Sequence, residues 1–199
     1  TAVFTNLTQD HLDFHKTFEN YLAAKCKLFT GLTQGSPHKS PKGAVINIDD
    51  PNGQRIMDLT KVPVITYSTQ KKGTLNAHDV TMTSKSSAYT VEYKGASYPV
   101  KMNTTGLFNV YNTLAAIGAC LQEGLSMEAI DKALSTFTAV PGRFELVDEG
   151  QDFAVVVDYA HTPDGLENIL KTAKAITKDR IIVVFGCGGD RDATKRPIM

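Results

Sequence analysis

The most constraining feature of this sequence is the run Val155-Val156-Val157-Asp158-Tyr159-Ala160-His161-Thr162-Pro163-Asp164. An apolar strand stops in polar groups and passes straight into a helix start, with Thr162 as N-cap and Pro163 at the first helical position. That helix carries Leu166, Ile169, Leu170, Ala173 and Ile176 on one face, and a second apolar run, Ile181 to Phe185, follows it. Strand, helix and strand in this order predict a parallel βαβ unit. In open α/β sheets ligands bind beyond the carboxyl ends of the strands. The second run also ends in such a place, at Gly186-Cys187-Gly188-Gly189-Asp190-Arg191-Asp192, where glycines let a ligand approach the backbone. The spacing is not G-x-G-x-x-G, and neither a G-x-x-x-x-G-K-[ST] phosphate loop nor a G-x-S-x-G elbow occurs in the chain.

Charge narrows the partners. Lys+Arg is 21 and Asp+Glu is 21 in 199 residues, so the formal net charge is zero. Such a chain has no electrostatic footprint for duplex nucleic acid or an anionic membrane, although a few local cations or helix N-termini suffice for small anions. Cys26, Cys120 and Cys187 form no C-x-x-C pair and no zinc spacing, which suits reduced thiols in the cytoplasm. No run of about 18 apolar residues offers a membrane span, and no signal peptide opens the chain. The first residue is Thr1, inside a strand pattern, and Met199 follows closely on the glycine loop, so the chain is expected to be an internal piece of a longer protein.

Upstream the pattern is also mixed. Ala2 to Leu7 reads as a strand, followed by a His-rich loop or helix start at Asp10 to His15. Phe18, Tyr21, Leu22, Leu28, Phe29 and Leu32 form one helical stripe, closed by Gly31 and Gly35, before an exposed Pro/Ser/Lys loop at 36–42. Strands follow at Ala44 to Ile48 and Val62 to Tyr67, with turn residues Asp49 to Gly53 and a short helix between them. Residues 74–102 alternate with period two and predict an antiparallel meander. Two helices come next, from Phe108 to Glu123 and, capped by Ser126, one with Met127, Ile130, Leu134 and Phe137 on its face. Val140-Pro141-Gly142 is the natural boundary, dividing the chain into 1–140 and 141–199.

Several residues stand out chemically, each beside an ordinary explanation. Lys25 interrupts the apolar stripe; a snorkelling ammonium explains it. So does a partly buried amine that reacts with carbon dioxide to form a carbamate, an oxygen ligand suited to magnesium. His11 sits in a cluster with Asp10, Asp13 and His15 that polar helix starts also show, and histidine is an unusual magnesium ligand. Asn109 and Asn112 share a helix face; they can cap the helix or meet an adenine edge with donor and acceptor together. Asp158 is placed to hold ribose hydroxyls, and Arg191 to clamp a carboxylate. Lys195 and Arg196 add positive potential or are merely solvated.

Taken together, these segments resemble the Mur ligase family. The carriers are Thr5 to His15, Ala23-Ala24-Lys25, Phe108-Asn109-Val110-Tyr111-Asn112, Pro141-Gly142-Arg143-Phe144-Glu145, Val157 to Asp164 and Phe185 to Asp192. The last two are similar to the branch that adds the third residue of the peptidoglycan stem peptide. The resemblance implies an α/β protein: the back of a central ATPase domain (1–140), with its small antiparallel meander, and the front of a Rossmann-like C-terminal ligase domain (141–199). It implies ATP and Mg2+ as cofactors, and a UDP-N-acetylmuramoyl-dipeptide plus a diamino acid, diaminopimelate or lysine, as substrates of an acyl-phosphate ligase. A monomer without nucleic-acid or membrane partners is expected. It implies that Lys25 is N6-carboxylated and, with His11, holds the metal, that Asn112 contacts adenine, that Arg143, Asp158 and His161 meet the nucleotide, and that Arg191 holds the incoming amino acid. Without a phosphate loop these residues alone are expected to be inactive. Two alternatives are a non-catalytic nucleotide-binding module of the same fold and a relative such as folylpolyglutamate synthetase, which shares the histidine, lysine and asparagines but not the glycine loop.

Overall fold

A computed structural model describes residues 1–33, 42–188 and 193–199. Its main sheet runs in the order β1 (Ala2–Phe4), β2 (Ala44–Asn47), β3 (Val64–Ser68), β4 (Leu75–Met82), β5 (Ser87–Tyr93), β6 (Ala96–Met102). The first four strands are parallel neighbours, and β4, β5 and β6 pair antiparallel. The expected meander is therefore present, but it continues the parallel sheet instead of standing apart. The joint is short: only Tyr67↔Leu75 and Ser68↔Asn76 pair across β3 and β4.

Both faces of the parallel part are covered, which is why its strands read as continuous apolar runs. On β2, Ala44 and Ile46 join Ala2, Phe4 and Ile56 in a core with Leu22, Cys26 and Phe29 of α2 (Phe18–Thr30). Ile56 lies on α3 (Gly53–Leu59). Val45, between Ala44 and Ile46, points the other way, into a core with Tyr67, Leu75, Val91, Leu114 and Ile117. Leu114 and Ile117 belong to α4 (Leu107–Gln122), and α5 (Met127–Thr136) adds Met127 and Ile130 to the same core. Ser126 caps α5 as expected, accepting the Ala129 N–H at 3.3 Å. Phe137 leaves the helix in extended backbone and is exposed, so it does not extend the buried face.

The first strand is shorter than its apolar pattern. Beyond Phe4 the chain is claimed by side chains at and just past the end of β2: Asn47 Nδ2 donates to the Thr5 carbonyl at 2.8 Å, and Asp50 Oδ2 accepts the Leu7 N–H at 2.9 Å.

Past Pro141 a second, two-stranded sheet forms from β7 (Glu145–Val147) and β8 (Val155–Val157), paired antiparallel, and α6 (Pro163–Ile176) follows. Thr162 caps α6 by accepting the Gly165 N–H at 3.1 Å. The expected strand at Ile181 to Phe185 is not formed. A strand needs a neighbour to satisfy its backbone groups. β8 pairs only with β7 among the described residues, and Val184 is 94% exposed. The α/β class stands, but the parallel partner of β8 is missing from this arrangement.

Candidate active site

The loop after β1 leads into α1 (Leu12–His15) and then α2. His11 caps α1 with a positive φ of 54°, a conformation few side chains adopt, and its own N–H donates to Asp10 Oδ1 at 2.9 Å. Its ring Nε2 lies 3.3 Å from Asp10 Oδ2. Thr17 caps α2 by accepting the Asn20 N–H at 3.1 Å, which fixes where the helix starts and therefore where Tyr21 and Lys25 project.

Lys25 lies on the flank of the buried stripe rather than in its middle. Leu22, Cys26 and Phe29 are buried, whereas Lys25 is half-buried with Nζ 4.8 Å above the Tyr21 ring centre. The lysine is one turn on from Tyr21, so an i, i+4 pair places the ammonium over the ring. The same tyrosine meets His11 edge-on at 6.0 Å and stacks on His15 at 4.8 Å. Two candidate metal ligands thus converge on one aromatic side chain.

The segment after β8 approaches the same loop. His161 Nδ1 donates to the Tyr159 carbonyl at 2.9 Å, which turns Nε2 toward Asp10, 3.9 Å from Oδ2. Asp10 therefore faces His11 and His161 together. Asp158, at the carboxyl end of β8, spends both oxygens on backbone: Oδ1 accepts from Ala160 and Oδ2 from Phe144, each at 2.7 Å. The exposed Arg143 guanidinium lies 4.8 Å from the Tyr159 ring centre. Asp164, in the first turn of α6, has its pKa raised, chiefly by burial and further by Glu167 and Asp50.

On α4 the two asparagines have separate fates. Asn109 Nδ2 donates to the Thr105 carbonyl at 2.8 Å, the local capping role, while Asn112 one turn on is exposed. Arg191 lies outside the described residues, as do Gly189, Asp190 and Asp192.

Sequence reasoning missed one polar cluster at the carboxyl ends of β2 and β3. Asp49 Oδ1 accepts from Ser68 Oγ at 2.7 Å, and Oδ2 accepts from the Thr69 N–H and the Tyr111 hydroxyl, both at 2.8 Å. Asp49 and Asp50 read as turn residues, but a signal was available: an acidic pair directly after a buried parallel strand stands where α/β sheets keep their sites.

Among the described residues no three His, Cys, Asp or Glu side chains form a metal cage. Magnesium does not require one, because it uses one or two protein ligands and completes its shell with phosphates and water. A free Lys25 ammonium cannot be a ligand; its carbamate, on the same Tyr21 ring that His11 meets, can. On that condition the donor set fits.

Two family profiles match the chain: the Mur ligase middle domain over residues 1–120 and the Mur ligase glutamate ligase domain over residues 142–199. The chain belongs to the Mur ligase family. It is 50% identical over 198 residues to a Geobacillus thermodenitrificans protein named UDP-N-acetylmuramoyl-L-alanyl-D-glutamate--2,6-diaminopimelate ligase. A protein of the same name from Clostridium botulinum is 48% identical over 200 residues. Each match covers 100% of this chain and 40% of the relative, so the chain spans well under half of these Mur ligases. A solved diaminopimelate ligase of the same name superposes with a TM-score of 0.73 at 34% identity, covering 100% of this chain and 40% of that one. MurF from Acinetobacter baumannii superposes with a TM-score of 0.77 at 19% identity over 88% of this chain and 37% of its own, a likeness of fold alone. No helix among the described residues is long and apolar enough to cross a membrane.

Proposed function

We propose that these residues serve an ATP-dependent ligase that joins 2,6-diaminopimelate to UDP-N-acetylmuramoyl-L-alanyl-D-glutamate, within a cytoplasmic, monomeric enzyme of peptidoglycan synthesis. The observation that carries the reading is the meeting of Asp10 with His11 and His161, which brings the segment after β8 against the loop after β1. Residues 1–140 are the back of the ATP-binding domain and residues 141–199 the front of the ligase domain in this reading. The relatives' names favour diaminopimelate over lysine as the amino acid.

When bound, ATP with magnesium would supply the γ-phosphoryl group that converts the substrate carboxylate into an acyl phosphate, releasing ADP; the incoming amine would then attack the acyl carbon, form the amide bond and displace phosphate. The chain's part is positioning and charge neutralisation, which dominate phosphoryl transfer. The Lys25 amine adds to carbon dioxide through a new N–C bond and releases one proton to solvent, leaving a carbamate. That anion and His11 would hold magnesium. Asn112 offers its amide to adenine; Arg143 and His161 face the nucleotide, and Asp158, which orders the turn before β7, meets the ribose hydroxyls with the lone pairs its two backbone bonds leave over. Arg191 holds the carboxylate of the diamino acid. Contacts from both parts make turnover depend on their closure.

The test is Lys25→Ala in the full-length protein, assayed by ADP release. Turnover should be lost and partly restored by short carboxylic acids. Undiminished turnover refutes the role of Lys25, and a wild-type protein that binds ADP without any ligation would favour a non-catalytic module instead.

A further inference from the structure

The cluster missed by the sequence reading links the two sides of the proposed nucleotide site. The Tyr111 hydroxyl donates to Asp49 Oδ2 and accepts from Thr69 Oγ1 at 2.6 Å and from Gln70 Nε2 at 3.3 Å, so its hydrogen-bonding capacity is filled. Burial raises the Tyr111 pKa, which keeps the hydroxyl a donor. Tyr111 directly precedes Asn112 on α4. Asp49 itself is held by its own N–H, which donates to Asn47 Oδ1 at 3.0 Å, and Asn47 donates to the Thr5 carbonyl. The adjacent Asp50 binds the Leu7 N–H of the loop that leads to His11. Ser68 completes the frame by accepting the N–H of Gln70 at 2.9 Å and of Lys71 at 2.5 Å.

α4 is otherwise anchored by apolar contacts along Val110, Leu114 and Ile117, which resist separation but little resist rotation or sliding. A directional bond from a carboxylate to the residue beside Asn112 fixes that rotation, and hydrogen bonds with a charged partner are the stronger kind. We infer that Asp49 is a positioning residue which, through the Tyr111 hydroxyl, sets the orientation of Asn112 for the nucleotide base. This rests on the assignment of Asn112 to adenine.

The experiment uses the full-length protein, with ADP in excess magnesium titrated by calorimetry and steady-state kinetics alongside. Tyr111→Phe removes one oxygen and keeps the ring. It should weaken ADP binding and raise KM for ATP about five- to tenfold, with kcat within about twofold and KM for the diamino acid unchanged. Asp49→Asn should move the same constants in the same direction. In an Asn112→Ala background, Tyr111→Phe should cost nothing more, because the group it orients is gone. Unchanged ADP affinity in Tyr111→Phe, with Asn112→Ala clearly weakened, overturns the positioning role and leaves the base contact standing. Additive losses in the double variant also overturn it, since they describe general loosening of α4. If Asn112→Ala leaves ADP affinity intact, the base contact itself fails and the inference falls with it.

Discussion

The Asp158 carboxylate accepts the backbone N–H of Phe144 at 2.7 Å, tying the end of β8 to the turn that opens the second sheet. Phe144 has a φ of 45°, unusual for a bulky residue, and its buried ring lies 6.1 Å from that of Phe108 at the start of α4. The strained turn is held by that hydrogen bond, by the Gly142 N–H donating to Glu145 Oε2 at 2.7 Å and the Arg143 N–H to the Val140 carbonyl at 3.0 Å, and by packing against the first part of the chain. Asp158→Ala should therefore destabilise the protein by about 2 kcal/mol, the scale of a hydrogen bond to a charged acceptor. Asp158→Asn, which keeps one acceptor oxygen, should cost less. Denaturant midpoints measure both; wild-type stability in Asp158→Ala would show that the turn holds without this carboxylate.

Gly53 opens α3 against the end of β2, and a Cβ there would stand 2.1 Å from the Asn47 backbone oxygen. Backbone cannot step aside as a side chain can. Gly53→Ala should push α3 off the sheet and cost about 1–3 kcal/mol, the usual range for overpacking. Thermal melts read the loss, and a rise in stability would contradict the close approach.

Thr17 caps the helix that carries Tyr21 and Lys25. Thr17→Ala should lower stability by about 1 kcal/mol, and Thr17→Ser should restore most of it. Equal denaturation curves for all three proteins would mean that the cap bond at Asn20 contributes nothing.

His78 hydrogen-bonds Asp79 at 2.8 Å and has Glu92 at 3.4 Å, and these carboxylates raise its pKa above the ordinary 6.5. The folded state holds the proton more tightly than the unfolded state. This contribution is complete below the unfolded pKa and disappears as pH rises through the folded one. His78→Gln should flatten the decline in stability just above pH 6.5, and an imidazole titration followed by NMR should give a pKa above that value.

The sheet and its helices were legible because both kinds of covered face leave simple patterns. The period-two alternation of 74–102 and the runs beginning at Ala44 and Val62 match β2 to β6 to within two residues at their starts. Helix caps at Ser126 and Thr162 carried their own local signal. What escaped depended on distant partners. Ala2 to Leu7 is apolar enough for a longer strand, but Asn47 and Asp50, more than forty residues on, take its backbone. Ile181 to Phe185 has strand composition and no strand to pair with among the described residues. Lys25 counts as central by spacing alone, yet the buried face is set by Leu22, Cys26 and Phe29, which leave it at the margin. Of the proposed site, His11, Lys25 and His161 were legible as residue types in suggestive places. The Tyr111–Asp49 bond was not, because 62 residues separate its partners.

The open strand at β8 has a practical side. Val155, Val157, Ile182, Val184 and Phe185 are exposed, and among the described residues β8 pairs on one edge, with β7, features that invite edge-to-edge association. A preparation of these 199 residues alone should self-associate as concentration rises. Light scattering would then follow the colloid before any calorimeter followed a ligand, so binding work calls for the longer polypeptide.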